Sequence, residues 1–384
     1  MKELADSSAP EILVKAVQET EKERPRIEGL PAELSVFLFN FTDAEILNST
    51  LDVIRVLITM YDSRQDGKLD IQYEMPTESD FTQKMKEQNL AIRTDDPSKQ
   101  YDIEDKLGHG GFAKVFRVKR RSDGYVCALK FIEPKNEKER KIIKNEVGLM
   151  QMYSNNDLIL KIIETYEYKN RLWILVELMD DAMTAYVQNW YKSYSENICK
   201  YVLKKAIDGL AFLHERNIIH RDIKSDNLLM SVNGDIKLAD FGYAVQLTQE
   251  TATRASKVGT VCWMAPELIK GQRRYTTKID IWSIGIFAME MADGDAPWIS
   301  MPQNKVIFNI LNKEPPPINE RWSADFSSFV KACLTKNPDE RPTANDLLKH
   351  PFLKDADQHR EEFSKSATKF ITLKRNQAAK KKAQ

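Results

Sequence analysis

The sequence predicts an α+β protein of two lobes, in which a small β-rich lobe precedes a larger helical lobe. Short alternating apolar runs separated by Gly-rich and Ser-Asp-Gly turns begin at Tyr101, and this is the pattern of strands joined by tight turns. From about Asp181 the chain becomes mainly helical, and the run Ile279–Met291 is apolar on nearly every side. Such a run indicates a helix that lies inside a large core.

Composition narrows the class of protein. The chain has 384 residues, 42% hydrophobic and 30% charged, which suits a globular protein of several units. Lys+Arg and Asp+Glu both number 57, so no net charge favours nucleic acid. Four scattered cysteines without a Cys-x-x-Cys pair argue against a zinc site and favour a reducing, cytoplasmic location. No run approaches the roughly 18 apolar residues of a transmembrane helix.

The region before Tyr101 divides by composition. Residues 1–26 form a charged arm, residues 27–82 a segment rich in apolar residues, and residues 83–100 a polar linker. Apolar side chains recur at helical spacing over residues 51–61, which predicts a small helical N-terminal extension that packs against another surface. Its composition fits a docking extension of the main domain and a regulatory segment equally well.

The main domain is predicted over residues 101–354, with a small lobe at 101–178 and a large lobe at 179–354. Residues 355–384 are predicted to be a solvated basic tail, because they end in a lysine run. Within the small lobe the predicted strands and helix are Tyr101–Leu107, Val115–Lys119, Tyr125–Phe131, the helix at 137–153, Leu158–Tyr166 and Leu172–Leu178.

A glycine-rich loop joins the first two predicted strands. The run from Gly108 through Gly110 to Ala113 also satisfies the Gly-x-Gly-x-x-Ala form of a dinucleotide site. That site requires a helix after the loop, whereas Val115–Val118 alternates and predicts a strand. The pattern therefore favours a hairpin whose glycines let backbone N–H groups approach phosphate oxygens.

Two polar clusters in the large lobe lie between apolar runs. The first is His220–Asn227 and the second is Asp240–Gly242. Burying such groups unpaired costs kcal/mol apiece, so clusters in this setting indicate contact with a ligand or a substrate.

These motifs occur in the order found in eukaryotic protein kinases: the glycine loop, a Cys127–Lys130 strand, His220–Asn227 and Asp240–Gly242. The sequence HRDIKSDN at 220–227 and the run Val258–Glu267 resemble those of kinases of the sterile-20 group. Within that group they are most similar to the p21-activated kinases (PAK). The resemblance covers roughly residues 98–355. It implies the bilobal protein kinase fold and serine/threonine kinase activity with ATP and Mg²⁺.

The resemblance assigns roles in phosphoryl transfer. Asp222 is expected to accept the proton of the substrate hydroxyl, and Lys224 to steady the transferring phosphate. Lys224, two residues after Asp222, is the form found in serine/threonine kinases. Asn227 and Asp240 are expected to hold Mg²⁺ between phosphate oxygens.

The resemblance also places the nucleotide. Lys130 is expected to neutralise the α- and β-phosphates while Glu146 from the following helix holds it. The backbone of Glu177–Met179 is expected to meet the adenine edge, and either Asp180 or Asp181 to reach the ribose. The residues expected at the ATP site are Leu107, Gly108, Gly110, Val115, Ala128, Lys130, Glu146, Glu177 and Met179.

An activation segment follows Asp240. A phosphate on Ser256 is expected to pair with Arg221, and Thr260 to shape the pocket beside the substrate hydroxyl. Structural roles are expected for His220, which braces the catalytic loop, for Glu267 paired with Arg341, and for Asp280, which accepts N–H groups of the loop.

Residues 27–82 resemble the PAK autoinhibitory region, but Asp43 stands at the position that matches the family's inhibitory lysine. The GTPase-binding motif of the family needs paired histidines before this segment, and the first histidine is His109. Control by a Rho-type GTPase through that motif is therefore not expected. The sequence leaves open whether Ser256 is phosphorylated by the protein itself or by an upstream kinase. The alternative, a pseudokinase scaffold, predicts loss of at least one of Lys130, Asp222, Asn227 and Asp240, all of which are present.

Overall fold

A computed structural model describes residues 92–109, 113–241, 244–246, 261–271 and 275–382. Several sequence predictions concern parts of the chain outside this description. They are the arm at 1–26, the extension at 27–82 with Asp43, Gly110, Ser256, Thr260 and the side chain of Glu146.

The small lobe is built on a sheet of five antiparallel strands. These are β1 (Tyr101–His109), β2 (Ala113–Arg120), β3 (Val126–Ile132), β4 (Ile162–Tyr168) and β5 (Arg171–Val176). Their order across the sheet is β1-β2-β3-β5-β4. Successive side chains of the central strand β3 face opposite sides, and Cys127, Ala128 and Leu129 are all buried. Both faces of the sheet are therefore covered at its centre, and the predicted β-rich small lobe is confirmed.

Helix α1 (Glu137–Tyr153) packs under this sheet. Its N-terminus is capped by Asn136, whose side chain accepts a hydrogen bond from the N–H of Glu139 at 2.8 Å. Glu137 and Glu139 in the first turn suit the positive end of the helix dipole. The apolar side chains of Ile143 and Val147 enter the core, as the spacing of apolar residues predicts.

The large lobe is mainly helical. In chain order its strands and helices are β6 (Asp181–Ala182), α2 (Met183–Trp190), α3 (Glu196–His214), β7 (Ile218–Ile219), β8 (Leu228–Met230), β9 (Ile236–Leu238), β10 (Val245–Gln246), α4 (Pro266–Ile269), α5 (Lys278–Asp293), α6 (Gln303–Asn312), α7 (Ala324–Cys333), α8 (Ala344–Leu347) and α9 (Arg360–Lys382). The strands β6, β8 and β9 form one small sheet, and β7 pairs with β10. These elements confirm the predicted helical lobe.

Helix α5 is the centre of the large lobe. Every residue from Ile279 to Ala292 is buried, as its predominantly apolar sequence predicts. The helix ends at Gly294, whose φ of 89° is left-handed, a conformation that glycine adopts without a steric cost. Two carboxylates, Asp280 and Glu290, lie inside this otherwise apolar helix.

The C-terminal region, predicted as a solvated basic tail, instead carries the long helix α9. Its residues Phe363, Phe370 and Ile371 are buried, with exposures of 0%, 5% and 3%. With Ala367 these side chains occupy positions i, i+4, i+7 and i+8 and make one packing face. The lysine run that dominates the sequence pattern occupies only the end of this helix.

Residues 92–100, predicted as the end of the linker, lie against the small lobe. The N–H of Arg93 donates to the carbonyl of Thr165 at 2.9 Å, and the carbonyl of Arg93 accepts from Glu167 at 2.8 Å. A short 3₁₀ helix follows at Pro97–Lys99. Across the part of the chain that the structure describes, no helix has the length and apolar character needed to span a membrane.

Candidate active site

The predicted catalytic loop, His220–Asn227, lies between β7 and β8 and holds Asp222 from two directions. The side-chain amide of Asn227 donates to the Asp222 Oδ2 atom at 2.8 Å and to its carbonyl at 2.7 Å. The Nζ atom of Lys224 lies 2.9 Å from the same Oδ2 atom. Asp222 is only 5% exposed, so these donors compensate for the loss of water around its charge. The structure thus brings together three residues that the sequence assigns to one site.

Asp280, near the start of α5, supports this loop from below. Its two carboxylate oxygens accept hydrogen bonds from the backbone N–H groups of His220 and Arg221, both at 2.8 Å. His214 on α3 contributes a third bond at 2.9 Å. Burial by itself raises the pKa of Asp280, but the bond and charge of His214 and the contacts from His220 outweigh it and lower the pKa.

His220 braces the loop through both ring nitrogens. Its Nε2 atom lies 3.1 Å from the carbonyl oxygen of Ala239, and its Nδ1 atom lies 3.4 Å from the N–H of Asp222. The ring also packs against Phe241 at 5.1 Å between centroids. Because the first contact requires a donor and the second an acceptor, the geometry matches a neutral imidazole. His220 therefore connects the loop to the Asp240–Gly242 motif.

The second charged pair of the site joins the two lobes. The Nζ atom of Lys130 on β3 lies 3.3 Å from the Oδ1 atom of Asp240. Asp240 has a φ of 60°, and Arg221 has a φ of 69°. Such left-handed backbones at non-glycine residues are costly and concentrate at functional sites. The predicted partner of Lys130, Glu146, lies on α1, but its side chain is outside the described part of the structure.

The expected adenine side of the site is formed by strands and by the chain that leaves the small lobe. Ala128 pairs with Val176 across β3 and β5, and both are buried. Leu107 is 49% exposed at the mouth of the glycine loop. Glu177 turns its side chain away from this opening, since its Oε1 atom accepts from Lys237 Nζ and from the N–H of Lys161, each at 2.7 Å. The N–H of Glu177 donates to the carbonyl of Lys161 at 3.0 Å, so its own carbonyl is the group left for the predicted adenine contact.

The glycine loop connects β1 to β2, as the alternation after it predicts. Gly108 pairs with Val115 across the two strands. A Cβ atom added at Gly108 would meet no other atom within 4 Å, so the space above this glycine is open. Strands β1 and β2 therefore form an antiparallel hairpin around the loop, and not the strand followed by a helix that a dinucleotide-binding site requires.

A cleft of about 480 Å³ opens beside the catalytic loop. It includes Lys224, Asn227 and Asp240 together with residues from α2, α5 and the chain around them. The other lining residues are Thr184, Gln188, Asp226, Trp263, Glu290, Asp295, Ala296 and Ile299.

Glu290 is a site residue that the motif analysis missed. Its carboxylate accepts hydrogen bonds from the hydroxyl of Ser225 and from the indole N–H of Trp263, the latter at 3.3 Å. Burial raises the pKa of Glu290 to about 7. The available signal was its position as an ionisable residue inside the apolar run of α5, since such residues are rarely buried without a partner.

The remaining residues with predicted structural roles form a buried ion pair. Arg341 donates from Nη1 and Nη2 to the two carboxylate oxygens of Glu267, at 2.6 and 3.0 Å. Both side chains are buried, with exposures of 0% and 3%. A bidentate pair of this kind fixes the orientation of both partners. Arg221 donates to the hydroxyl of Tyr275 at 3.1 Å.

Comparisons with known proteins place these features in a family. The protein kinase domain family matches residues 101–353. Serine/threonine-protein kinase pakA of Dictyostelium discoideum is 36% identical over 86% of this chain and 28% of that protein. Serine/threonine-protein kinase pakC of the same organism is 37% identical over 85% of this chain and 68% of that protein.

A third relative comes from a vertebrate. Serine/threonine-protein kinase 10-A of Xenopus laevis is 36% identical over 71% of this chain and 29% of that protein. The chain therefore spans less than a third of the length of several relatives that it matches.

Proposed function

The chain belongs to the protein kinase family, and on that premise we propose that it is a serine/threonine protein kinase. It transfers the γ-phosphoryl group of ATP to hydroxyl groups of protein substrates. The observation that carries this proposal is that Lys224, Asn227 and Asp240 line one cleft. Asp222 is bonded to Lys224 and Asn227, and Lys130 lies beside Asp240.

Asp222 is the residue that accepts the hydroxyl proton. Its carboxylate is oriented by Asn227 and by Lys224, so the oxygen that receives the proton is held in place before the substrate arrives. Lys224 lies between this carboxylate and the cleft and steadies the negative charge of the transferring phosphate. Because the transition state of phosphoryl transfer spreads its charge over several oxygens, fixed cations and donors supply most of the catalysis.

Asn227 and Asp240 fit a Mg²⁺ site. Asn227 uses its amide nitrogen for both bonds to Asp222, so its amide oxygen is not engaged in holding that residue. Together with the carboxylate of Asp240 it supplies the hard oxygen ligands that Mg²⁺ prefers. When bound, Mg²⁺ offsets phosphate charge and orients the phosphate chain.

The test of the catalytic assignment is transfer of radiolabelled phosphate from ATP to a generic basic protein. Asp222→Asn keeps the size of the side chain but removes its basicity, so incorporation is expected to fall at least about a hundredfold, the usual contribution of a positioned general base. Equal incorporation by the wild type and the variant would refute the assignment. No incorporation by either protein, with ATP still bound, would favour the pseudokinase scaffold.

Phosphorylation of the activation segment is part of the proposal. A phosphate on Ser256 pairs with Arg221, which precedes the catalytic aspartate, and Thr260 shapes the acceptor pocket. An upstream kinase or the protein itself supplies this phosphate. Support comes from the position of Arg221 directly before Asp222 and from its guanidinium, which donates a hydrogen bond to the hydroxyl of Tyr275.

Residues 27–82 are proposed to regulate the kinase in the cytoplasm without the usual Rho-type GTPase motif. The support is the resemblance of this segment to the PAK autoinhibitory region and the absence of histidine before His109. Deleting residues 1–90 is expected to raise the rate of phosphate transfer. Unchanged or lower activity of the shortened protein would contradict this regulation.

A further inference from the structure

The C-terminal helix α9 is anchored on the large lobe by aromatic side chains. Phe363 packs edge-on against Tyr186 of α2 and lies tilted against Tyr201 of α3, with centroid distances of 5.9 and 5.6 Å. Two turns further along the same face, Phe370 meets Tyr186 at 5.4 Å and Trp190 at 6.0 Å. Because Phe363, Phe370, Tyr186 and Tyr201 are buried, the helix is part of the folded lobe along this stretch.

Polar contacts tie the same helix to the turn between β8 and β9. Arg360 donates to the carbonyl of Asn233 at 3.3 Å and pairs with Asp235 at 2.6 Å. The hydroxyl of Ser364 donates to the carbonyl of Val232 at 2.6 Å. Strand β8 begins directly after Asn227, so α9 contacts the turn at the far end of the strand that follows a proposed Mg²⁺ ligand.

Beyond its buried face, α9 reaches the chain that leaves the hinge. Arg375 Nη2 lies 2.7 Å from Asp180 Oδ1, and Lys374 pairs with Asp181. The other oxygen of Asp180 accepts from the N–H of Val232 at 2.8 Å. These are the two aspartates that the sequence offers as candidates for the ribose, and their side chains are only 19% and 17% exposed.

Backbone pairing also connects the two aspartates to strand β8, which follows Asn227. Asp180 donates its N–H to the carbonyl of Met230 at 3.0 Å, and Asp181 pairs with Met230 between β6 and β8. The segment from the hinge is thus hydrogen-bonded to the strand after Asn227. One helix therefore contacts both the turn after β8 and the segment that follows the hinge.

We propose that α9 is a positioning element for nucleotide binding, and that Asp180 and Asp181 serve as its docking points instead of contacting the ribose. Lys374 and Arg375 hold the segment between the hinge and α2 against β8, which keeps the ribose side of the pocket formed before ATP binds. The inference rests on the proposed kinase function and adds residues that no catalytic motif contains.

The size of the effect follows from the exposure of the pairs. Lys374 and Arg375 are 49% and 69% exposed, and exposed ion pairs are individually weak. The aromatic anchor remains when they are changed, so the helix stays docked. We therefore expect a change of several-fold in affinity for ATP, with little change in the chemical step.

The test combines a charge reversal with a matched control on the same helix. In the full chain, Lys374→Glu/Arg375→Glu is expected to raise both KM for ATP and Kd for Mg-ATP by about three- to tenfold, the range of coupling carried by packed elements. The kcat value is expected to stay within about twofold. The control Lys365→Glu/Lys380→Glu makes the same change in net charge at exposed positions of α9 and should leave all three values unchanged.

A second pair of variants separates positioning from general damage. Lys374→Glu alone should raise Kd, and Lys374→Glu/Asp181→Lys, which restores an opposite-charge pair, should recover most of the affinity. Unchanged or tighter nucleotide binding in the double charge reversal would overturn the proposal, as would failure of the restored pair to recover affinity. Binding is measured separately from transfer, so a wild-type protein that binds ATP without transferring phosphate would contradict only the kinase activity.

Discussion

The two buried carboxylates of helix α5 have pKa values shifted in opposite directions, although both contact the same loop. Asp280 and Glu290 are 0% and 3% exposed, and both accept hydrogen bonds from the catalytic loop. Asp280 has two short bonds from backbone N–H groups and a third from a histidine. Its pKa is lowered, because the contacts with His214 and His220 exceed the cost of burial.

Glu290 has weaker donors. They are a hydroxyl, an indole N–H at 3.3 Å and a backbone N–H from Ser225 at 3.4 Å, while the charge of Asp226 opposes ionisation. Burial therefore prevails and raises the pKa of Glu290 to about 7. Both carboxylates are buried and each has three donors, so the kind of donor and the charge of the neighbouring groups decide whether the pKa is lowered or raised.

The two pKa shifts have opposite consequences for stability. The lowered pKa of Asp280 stabilises the fold above the unfolded value of 3.8, and this contribution is lost as the pH falls through the folded pKa. The raised pKa of Glu290 contributes stability below the unfolded value of 4.5, and this contribution is lost as the pH rises through about 7.

The largest expected effect comes from Asp280→Asn, which removes the ionised member of the comparison. The amide has one acceptor oxygen in place of two and turns an N–H group toward other donors. We expect the free energy of unfolding to fall by about 4 kcal/mol, as when a buried charged partner is lost. Chemical denaturation measures this, with exposed Asp339→Asn as the control. A loss below about 1 kcal/mol would show that Asp280 does not support the loop.

The next effect is a pH dependence specific to Glu290. Between pH 5 and pH 8 the wild-type free energy of unfolding is expected to fall by up to about 3 kcal/mol through this group, because a carboxylate forms where burial disfavours it. In Glu290→Gln this pH-dependent contribution should vanish. The free energy of unfolding of the variant should therefore match that of the wild type near pH 5 and exceed it near pH 8. The same difference in free energy of unfolding between the variant and the wild type at both pH values would contradict the raised pKa.

The smallest effect is expected from Ser225→Ala. This substitution removes the hydroxyl bonded to Glu290 and to Thr184, and costs about 1 kcal/mol near pH 5. Because one donor to the carboxylate is lost, the pH at which the Glu290 component disappears should move upward. The exposed substitution Ser328→Ala serves as the comparison in the same titration. A downward movement would show that Ser225 does not stabilise the ionised form.

Much of the site was predictable because its chemistry requires particular residue types in a particular order. Polar clusters between apolar strands identified His220–Asn227 and Asp240–Gly242, and the family match to residues 101–353 confirms the predicted fold and family. Glu290 was not predicted, since one carboxylate within an apolar run has no motif. Its partners on the loop lie 65 positions away in the chain.

The C-terminal region is a second part of the structure that the sequence pattern did not predict. The lysines at the end of the chain favoured a solvated tail, although Phe363 and Phe370 are spaced for one helical face. Whether such a face is buried depends on a complementary surface, and that surface is built by Tyr186, Trp190 and Tyr201 from α2 and α3.

The sequence by itself determined the two-lobe architecture, the order of the motifs and the residue types of the catalytic loop, because periodicity and local chemistry are properties of the chain. The tertiary structure decided which carboxylates are ionised and what the two aspartates after the hinge contact. Burial, donor geometry and ion pairing between distant residues exist only once the elements pack. The glutamate and the aspartate of α5 differ for that reason, and Asp180 and Asp181 meet a helix from the end of the chain.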